Sequence, residues 1–537
     1  MSNVEKFVII GIDGADFFLT RDLMDQGELP NLRSLRERGI YAPLISTIPP
    51  LTPQAWSSFA CGVNPGKHGI FDFGEIPTDS YESRLNTSLD RKSRGFWEYL
   101  SAEGYRSAVI NMPLSYPSED LGEGYMVSGM HTPDRKNLSV HSEVQNFINT
   151  DFPDYLIDVM SFWYRDMDQF IERVRQMVQG RTELVKGLRK RFPAEVLFFT
   201  YVGLDRILHA LYSQQDFHTG GQGWKYETVG REIFRLIDQG IGEILEDIPS
   251  DVPVMVLSDH GFGTLEKDVY LNNFFHQKGY LDFDPGMLTQ ATTCHGGWDK
   301  GPFGTLLFSM MTRFSFFRKR ISCYQKSFQA MDWKRVRCFS TGLFGNVYLH
   351  RKDRFPQGWI EPGSAQYEEV LESVIGDLKE LAMDGEPVVD EIYQSKEIYH
   401  GPYVYLAPDL ILKMRNYSLI TRGGQEFASD EILDYPGVNH SGNHRMEGIF
   451  FCSGSGVIPG SFPYSQAILE DLIPTLLYGL DLPIPLEMDG RVLKAIFQYD
   501  REPVYCEEST SRICPNSQEF NDPRVRSRLK ALGYLDG

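Results

Sequence analysis

Five short runs in this chain are apolar at nearly every position, and they limit its fold more than any other feature. They are "KFVIIGI" at 6–12, "RSAVINM" at 106–112, "EVLFFTYV" at 195–202, "VPVMVLS" at 252–258 and "GIFFCSG" at 448–454. A strand with one wet face alternates apolar and polar residues, whereas a strand covered on both faces does not. Between the runs the spacing becomes helical. Across 228–247, Val229, Ile233, Leu236, Ile237, Ile241, Ile244 and Leu245 form one stripe that leads directly into the run at 252. Strand, helix and strand in this order predict an α/β fold, a mostly parallel sheet flanked by helices.

At 537 residues the chain has length for about two to four domains, or for one large α/β domain with insertions. Residues 75–95 and 264–430 are rich in loops, aromatics and turn signals, so they read as insertions or a cap over the sheet edge. The expected division is a catalytic domain from 1–265 and 430–499, an inserted cap or specificity region at 266–429, and a tail at 500–537. The tail ends in a short helix with Asp522 as its cap and Pro523 at its first position. With 53 basic and 73 acidic residues the formal charge is −20, which argues against a protein-wide attraction to nucleic acid or to an anionic membrane. The seven cysteines are scattered and never form a CxxC pair, and no signal-peptide pattern opens the sequence. That combination predicts a reduced, cytoplasmic protein. No apolar run reaches the length of about 18 residues that a membrane-spanning helix needs. The stretch "FGTLLFSMMTRFSFFRKR" at 303–320 reads as a helix packed in the inserted region; contact with lipid or a greasy substrate is the alternative.

In an open parallel sheet, ligands bind beyond the carboxyl ends of the strands. Asp13 follows the first run. Asp205 and His209 follow the third in "GLDRILHA", and Asp259 and His260 follow the fourth in "DHGFG". Asp205 and His209 are four residues apart at a helix start, so they face one way. "GVNHSGNHRMEGIFF" adds His444, with His440 as the fallback, just before the fifth run. His68 in "PGKHGI" reads as a residue that ties down a turn. Carboxylates mixed with imidazoles suit zinc, manganese or another transition metal. Two such ions about 4 Å apart stabilise the attacking and leaving oxygens of an in-line phosphoryl displacement. In "IPPLTPQAW" a hydroxyl is available: Thr52, read as a helix N-cap with Pro53 at the first helical position. A threonine hydroxyl is a weak nucleophile that metal coordination can activate.

The segments "VIIGIDGAD", "PPLTPQAWSSFACGVNPGKHGIFDF", "TYVGLDRILHA", "VMVLSDHGFG", "SGNHRMEGIFFCSG" and "IPTLLYGLDLPIPLEMDGRVL" together resemble the alkaline phosphatase superfamily. Within it they are most similar to the type I phosphodiesterase/nucleotide pyrophosphatase branch. The resemblance implies an alkaline-phosphatase-like fold and two divalent ions, zinc first. Asp13, Asp259, His260 and the Thr52 hydroxyl would surround one ion, and Asp205, His209 and His444 the other. It also implies hydrolysis of a phosphodiester or pyrophosphate bond through a phospho-threonine, on a small phosphate ester or nucleotide-like substrate rather than a nucleic acid. Gln54, Trp56, Asn346 and Arg445 are candidates to bind phosphate oxygens. A phosphomonoesterase or phospho-substituent transferase on the same site is the alternative activity, and a metal-stabilised binding protein the alternative of another class.

Overall fold

In the computed structural model, which describes residues 5–507 except 216, 218–224, 284–330, 423–430, 438–439 and 461, one sheet dominates. Among the described residues it has eight strands: β1 (Phe7–Ile12), β2 (Gly39–Ile45), β3 (Ser107–Ile110), β4 (Tyr125–Val127), β5 (Val196–Tyr201), β6 (Val254–Leu257), β7 (Glu447–Ser453) and β8 (Ala467–Ile468). Their order is β8-β2-β7-β6-β1-β5-β3-β4. The expectations for 303–320 and for the tail helix fall outside the described residues.

The apolar runs divide between two cores. Val8, Ile10 and Ile12 of β1 pack on one face, while Phe7 and Ile9 pack on the other. Leu197 and Phe199 of β5 oppose Val196 and Phe198 in the same way. Both faces are covered, which is why the runs do not alternate. On the first face lie α2 (Met167–Arg191), α3 (Gly203–Leu211) and α4 (Val229–Leu245); on the second lies α1 (Thr52–Cys61). The stripe on α4 buries Val229, Ile233, Ile237, Ile241 and Ile244, and leaves Leu236 and Leu245 partly buried at its margin.

The sheet is mostly parallel, with one reversal. β1 pairs in parallel with β5 and β6, Ile9 lying opposite Phe198 and Met255. β7, the fifth run, is instead antiparallel to both β6 and β2. This reversal positions the site. The start of β7 lies at the same edge as the ends of β1, β2, β5 and β6. β2 escaped the strand reading because Pro43 interrupts it and its burial alternates.

A second, antiparallel sheet takes its strands in the order Cys338–Thr341, Asn346–Leu349, Leu410–Met414, Val389–Gln394. The helix Ala365–Glu380 covers it with Val370, Leu371, Val374 and Leu378. Ile76 joins this core, and Tyr81 stacks on Trp333 with ring centres 3.7 Å apart, so the start of the 75–95 stretch packs here, whereas Leu85 joins the first core of the main sheet. Among the described residues no helix is long and apolar enough to cross a membrane.

Candidate active site

Five chain segments meet at one sheet edge. β1 ends at Asp13, β6 at Asp259 and His260, and β5 runs into α3, which carries Asp205 and His209. β2 leads through residues 46–51 to Thr52. The segment Gly442–Arg445 pairs with Gly261–Thr264, placing His444 opposite Phe262 just before β7. Asp13, Thr52, Asp205, Asp259, His260 and His444 are all buried.

The ring nitrogens decide what this cluster is. His260 Nδ1 lies 3.1 Å from the Gly261 carbonyl, His209 Nδ1 3.0 Å from that of Gly442, and His444 Nδ1 2.7 Å from that of Pro50. A carbonyl only accepts, so each Nδ1 carries the proton and donates, and each neutral ring turns its Nε2 lone pair inward. His209 Nε2 and His444 Nε2 are 2.9 Å apart, with Asp205 Oδ1 at 3.3 and 3.5 Å from them. His260 Nε2 has Asp259 Oδ2 at 3.2 Å, Thr52 Oγ1 at 3.3 Å and Asp13 Oδ1 at 3.6 Å. The His260 and His444 rings stack with centres 3.4 Å apart, so the two groups of donors are neighbours.

Such a set of inward acceptors needs positive charge. Both Asp13 oxygens, Asp205 Oδ1 and Asp259 Oδ2 are buried without a hydrogen-bond partner. Burial, then the charge of neighbouring carboxylates, pushes Asp13 and Asp259 well above the usual range. Burial alone would raise Asp205 as well, but the groups around it, the Arg206 guanidinium among them, outweigh that and hold the carboxyl well below the usual range. Burial keeps His260 and His444 neutral. The donor types, the orphaned oxygens and the carbonyl-anchored imidazoles all fit divalent metal ions. Asp205, His260 and His444 form one compact group of donors, and Asp13, Asp259 and His260 another.

A sequence model of the family described as "Type I phosphodiesterase / nucleotide pyrophosphatase" matches residues 7–427. The chain belongs to this family. Its members are metal-dependent, and this protein is accordingly a phosphodiesterase/pyrophosphatase-type hydrolase of the alkaline phosphatase superfamily. The fold is similar to that of phosphonoacetate hydrolase from Sinorhizobium meliloti 1021, solved with phosphonoacetate. That similarity has a TM-score of 0.56 at 14% identity, over 89% of this chain and 96% of that one. Murine ectonucleotide pyrophosphatase/phosphodiesterase 5 aligns with a TM-score of 0.49 at 12% identity, over 89% and 95% of the two chains. No curated protein matches the chain in sequence.

In this family member Thr52 is not an N-cap. Leu51 holds the cap position, Thr52 and Pro53 are the first two helical residues, and the Thr52 hydroxyl faces His260. The helix therefore begins one residue earlier than the Thr-Pro pattern suggests. Gln54 donates its amide hydrogens to the Ile48 carbonyl and the Tyr399 hydroxyl, away from the cluster. Arg445 donates to the carbonyls of Tyr417, His444 and Thr264, stapling backbone segments together. Asn346 donates to Asp72. Trp56 lies under β1, its indole nitrogen buried without a hydrogen-bond partner. His440 stands one layer out, against Arg422 and the ring of His209. His68 pins its turn, accepting from Ile70 N–H and pairing with the Ser58 hydroxyl. The sequence reading passed over Arg206 and Asp158, which join the cluster behind Asp205. Arg206 adjoins Asp205 in its motif and was open to notice; Asp158 carries no local signal.

Proposed function

We propose that this protein hydrolyses phosphodiester or pyrophosphate bonds of small phosphate esters or nucleotide-like molecules through a phospho-threonine at Thr52. The observation that supports this most is the pair of inward lone pairs on His209 and His444, 2.9 Å apart beside an unpartnered Asp205 oxygen. Two neutral acceptors hold that distance when a cation lies between them. In this reading Asp205, His209 and His444 hold one ion, and Asp13, Asp259, His260 and Thr52 hold a second, zinc first and manganese as the alternative. Bound there, the ions supply Lewis acidity that acidifies the Thr52 hydroxyl and offsets charge on the transferred group. The Thr52 hydroxyl gives its proton to solvent, Oγ1 attacks phosphorus, and an Oγ1–P bond forms as the bond to the leaving oxygen breaks and that oxygen takes a proton from solvent. Water attacks the same phosphorus next, the Oγ1–P bond breaks, and the hydroxyl is restored. The three imidazoles keep their protons on Nδ1, held by carbonyls, so their inner nitrogens serve as donors of lone pairs throughout.

Among the described residues, charge favours a diester over a monoester. Arg206 is matched by Asp158, Arg422 by Asp268, and Arg445 is committed to carbonyls. A monoester dianion calls for an added cation at the phosphoryl group; a diester monoanion does not. Four of the cysteines, Cys61, Cys338, Cys452 and Cys506, are free thiols, which supports a reducing, cytoplasmic setting.

Turnover of bis-(p-nitrophenyl) phosphate against p-nitrophenyl phosphate, with added Zn2+ or Mn2+, tests this reading. The diester is expected to be cleaved faster. Thr52→Ala is expected to lower kcat about a thousandfold, ~4 kcal/mol of barrier, with metal content unchanged. Faster monoester turnover would reverse the substrate assignment, and loss of metal from Thr52→Ala would make Thr52 structural.

A further inference from the structure

We infer that Arg206, locked in place by Asp158, is the positioning residue that aims the Asp205 carboxylate into the site. Arg206 donates from Nε to Asp158 Oδ1 at 2.9 Å and from Nη2 to Asp158 Oδ2 at 3.1 Å, a two-pronged pair. Its remaining nitrogen, Nη1, donates to Asp205 Oδ2. The side chains of Asp158, Arg206 and Asp205 are 9%, 7% and 2% exposed, so water does little to compete for these bonds. Asp158 is fixed in turn, since its Oδ1 accepts from the Val159 N–H at 2.9 Å.

The consequence lies at the other Asp205 oxygen. An aspartate χ2 is soft and roughly two-fold, so an unrestrained carboxylate presents either oxygen over a wide arc. With Oδ2 held by a planar guanidinium, Oδ1 alone is left facing His209 and His444. Asp158 also cancels the charge that Arg206 would otherwise bring to a cation site. Lysine would keep that charge but has no rigid fork to span two carboxylates. This inference rests on the metal-binding reading of the cluster.

The test is calorimetric titration of Zn2+ into the metal-stripped full-length protein, wild type beside Asp158→Asn and Arg206→Lys. Wild type is expected to take up two ions. Each variant is expected to bind one of them about tenfold more weakly, the usual loss when an outer contact to a ligand is removed, and the other as before. For the diester, kcat should fall while KM holds. Asp158→Asn preserves size and shape, so it keeps the test open if Arg206→Lys fails to fold. Wild-type affinity for both ions in both variants would overturn the positioning role while leaving the metal reading intact. Failure of the wild type to bind Zn2+ would overturn both.

Discussion

At the sheet edge, what a histidine's Nδ1 touches decides which ring nitrogen faces inward. In His209, His260 and His444 that atom meets a carbonyl, so Nε2 is left as an inward lone pair. His68 is the reverse: its Nδ1 accepts from Ile70 N–H, so Nε2 holds the proton and donates to Ser58. The same residue type is therefore a metal-ligand candidate in one place and a turn anchor in another. Glu470, which bonds to the same Ser58, offers a test at this scale. Burial pushes its carboxyl up to about 7, so the fold favours the neutral form. Stability from that form is full below the unfolded value and is lost as pH rises through about 7. Glu470→Gln is expected to raise the urea midpoint at pH 8 and leave it unchanged at pH 4. An equal gain at both pH values would show that ionisation is not the cause.

Among the elements, β1 bears a tight constraint at Gly11. A Cβ at Gly11 would stand 2.5 Å from Trp56 Cη2 and 2.9 Å from Thr200 Oγ1, pressed from α1 on one side and β5 on the other. Gly11→Ala should destabilise the fold by about 1–3 kcal/mol, read as a lower urea midpoint at constant slope. Because Trp56 also lies by Asp13, a shift of that ring would disturb the site. Strand existence was legible wherever the chain is apolar throughout, as in β1, β5 and β6. Strand direction was not. β7 has the same apolar texture as its parallel neighbours and runs the other way, because composition records burial and says nothing of which end of a strand faces which. β2 was hidden by Pro43, although it is the element that delivers Thr52.

For the molecule as a whole, the site is a concentration of buried negative charge that a bound cation relieves. Burial and neighbouring carboxylates raise Asp13 and Asp259, so the metal-free protein loses stability as pH rises above about 4, the ordinary carboxylate range. Metal removal by a chelator is accordingly expected to lower the urea midpoint, more at pH 7.5 than at pH 5. Zn2+ at a hundredfold excess over its dissociation constant should restore about 2.7 kcal/mol per site. A midpoint indifferent to chelator at pH 7.5 would show that no resident ion stabilises the fold. The second sheet reaches this centre through Phe344, whose ring centre is 5.5 Å from that of His444.

From sequence alone came five of the eight strands, the edge at which they end, and the acids, imidazoles and hydroxyl gathered there, because chain polarity in a parallel sheet sends successive strand ends to one side. Tertiary structure alone decided where each imidazole holds its proton, that Gln54 and Arg445 serve the backbone, and that Asp158 stands behind Arg206. Those outcomes depend on single hydrogen bonds, several between residues hundreds of positions apart. Such bonds have no periodicity and leave no trace in local composition.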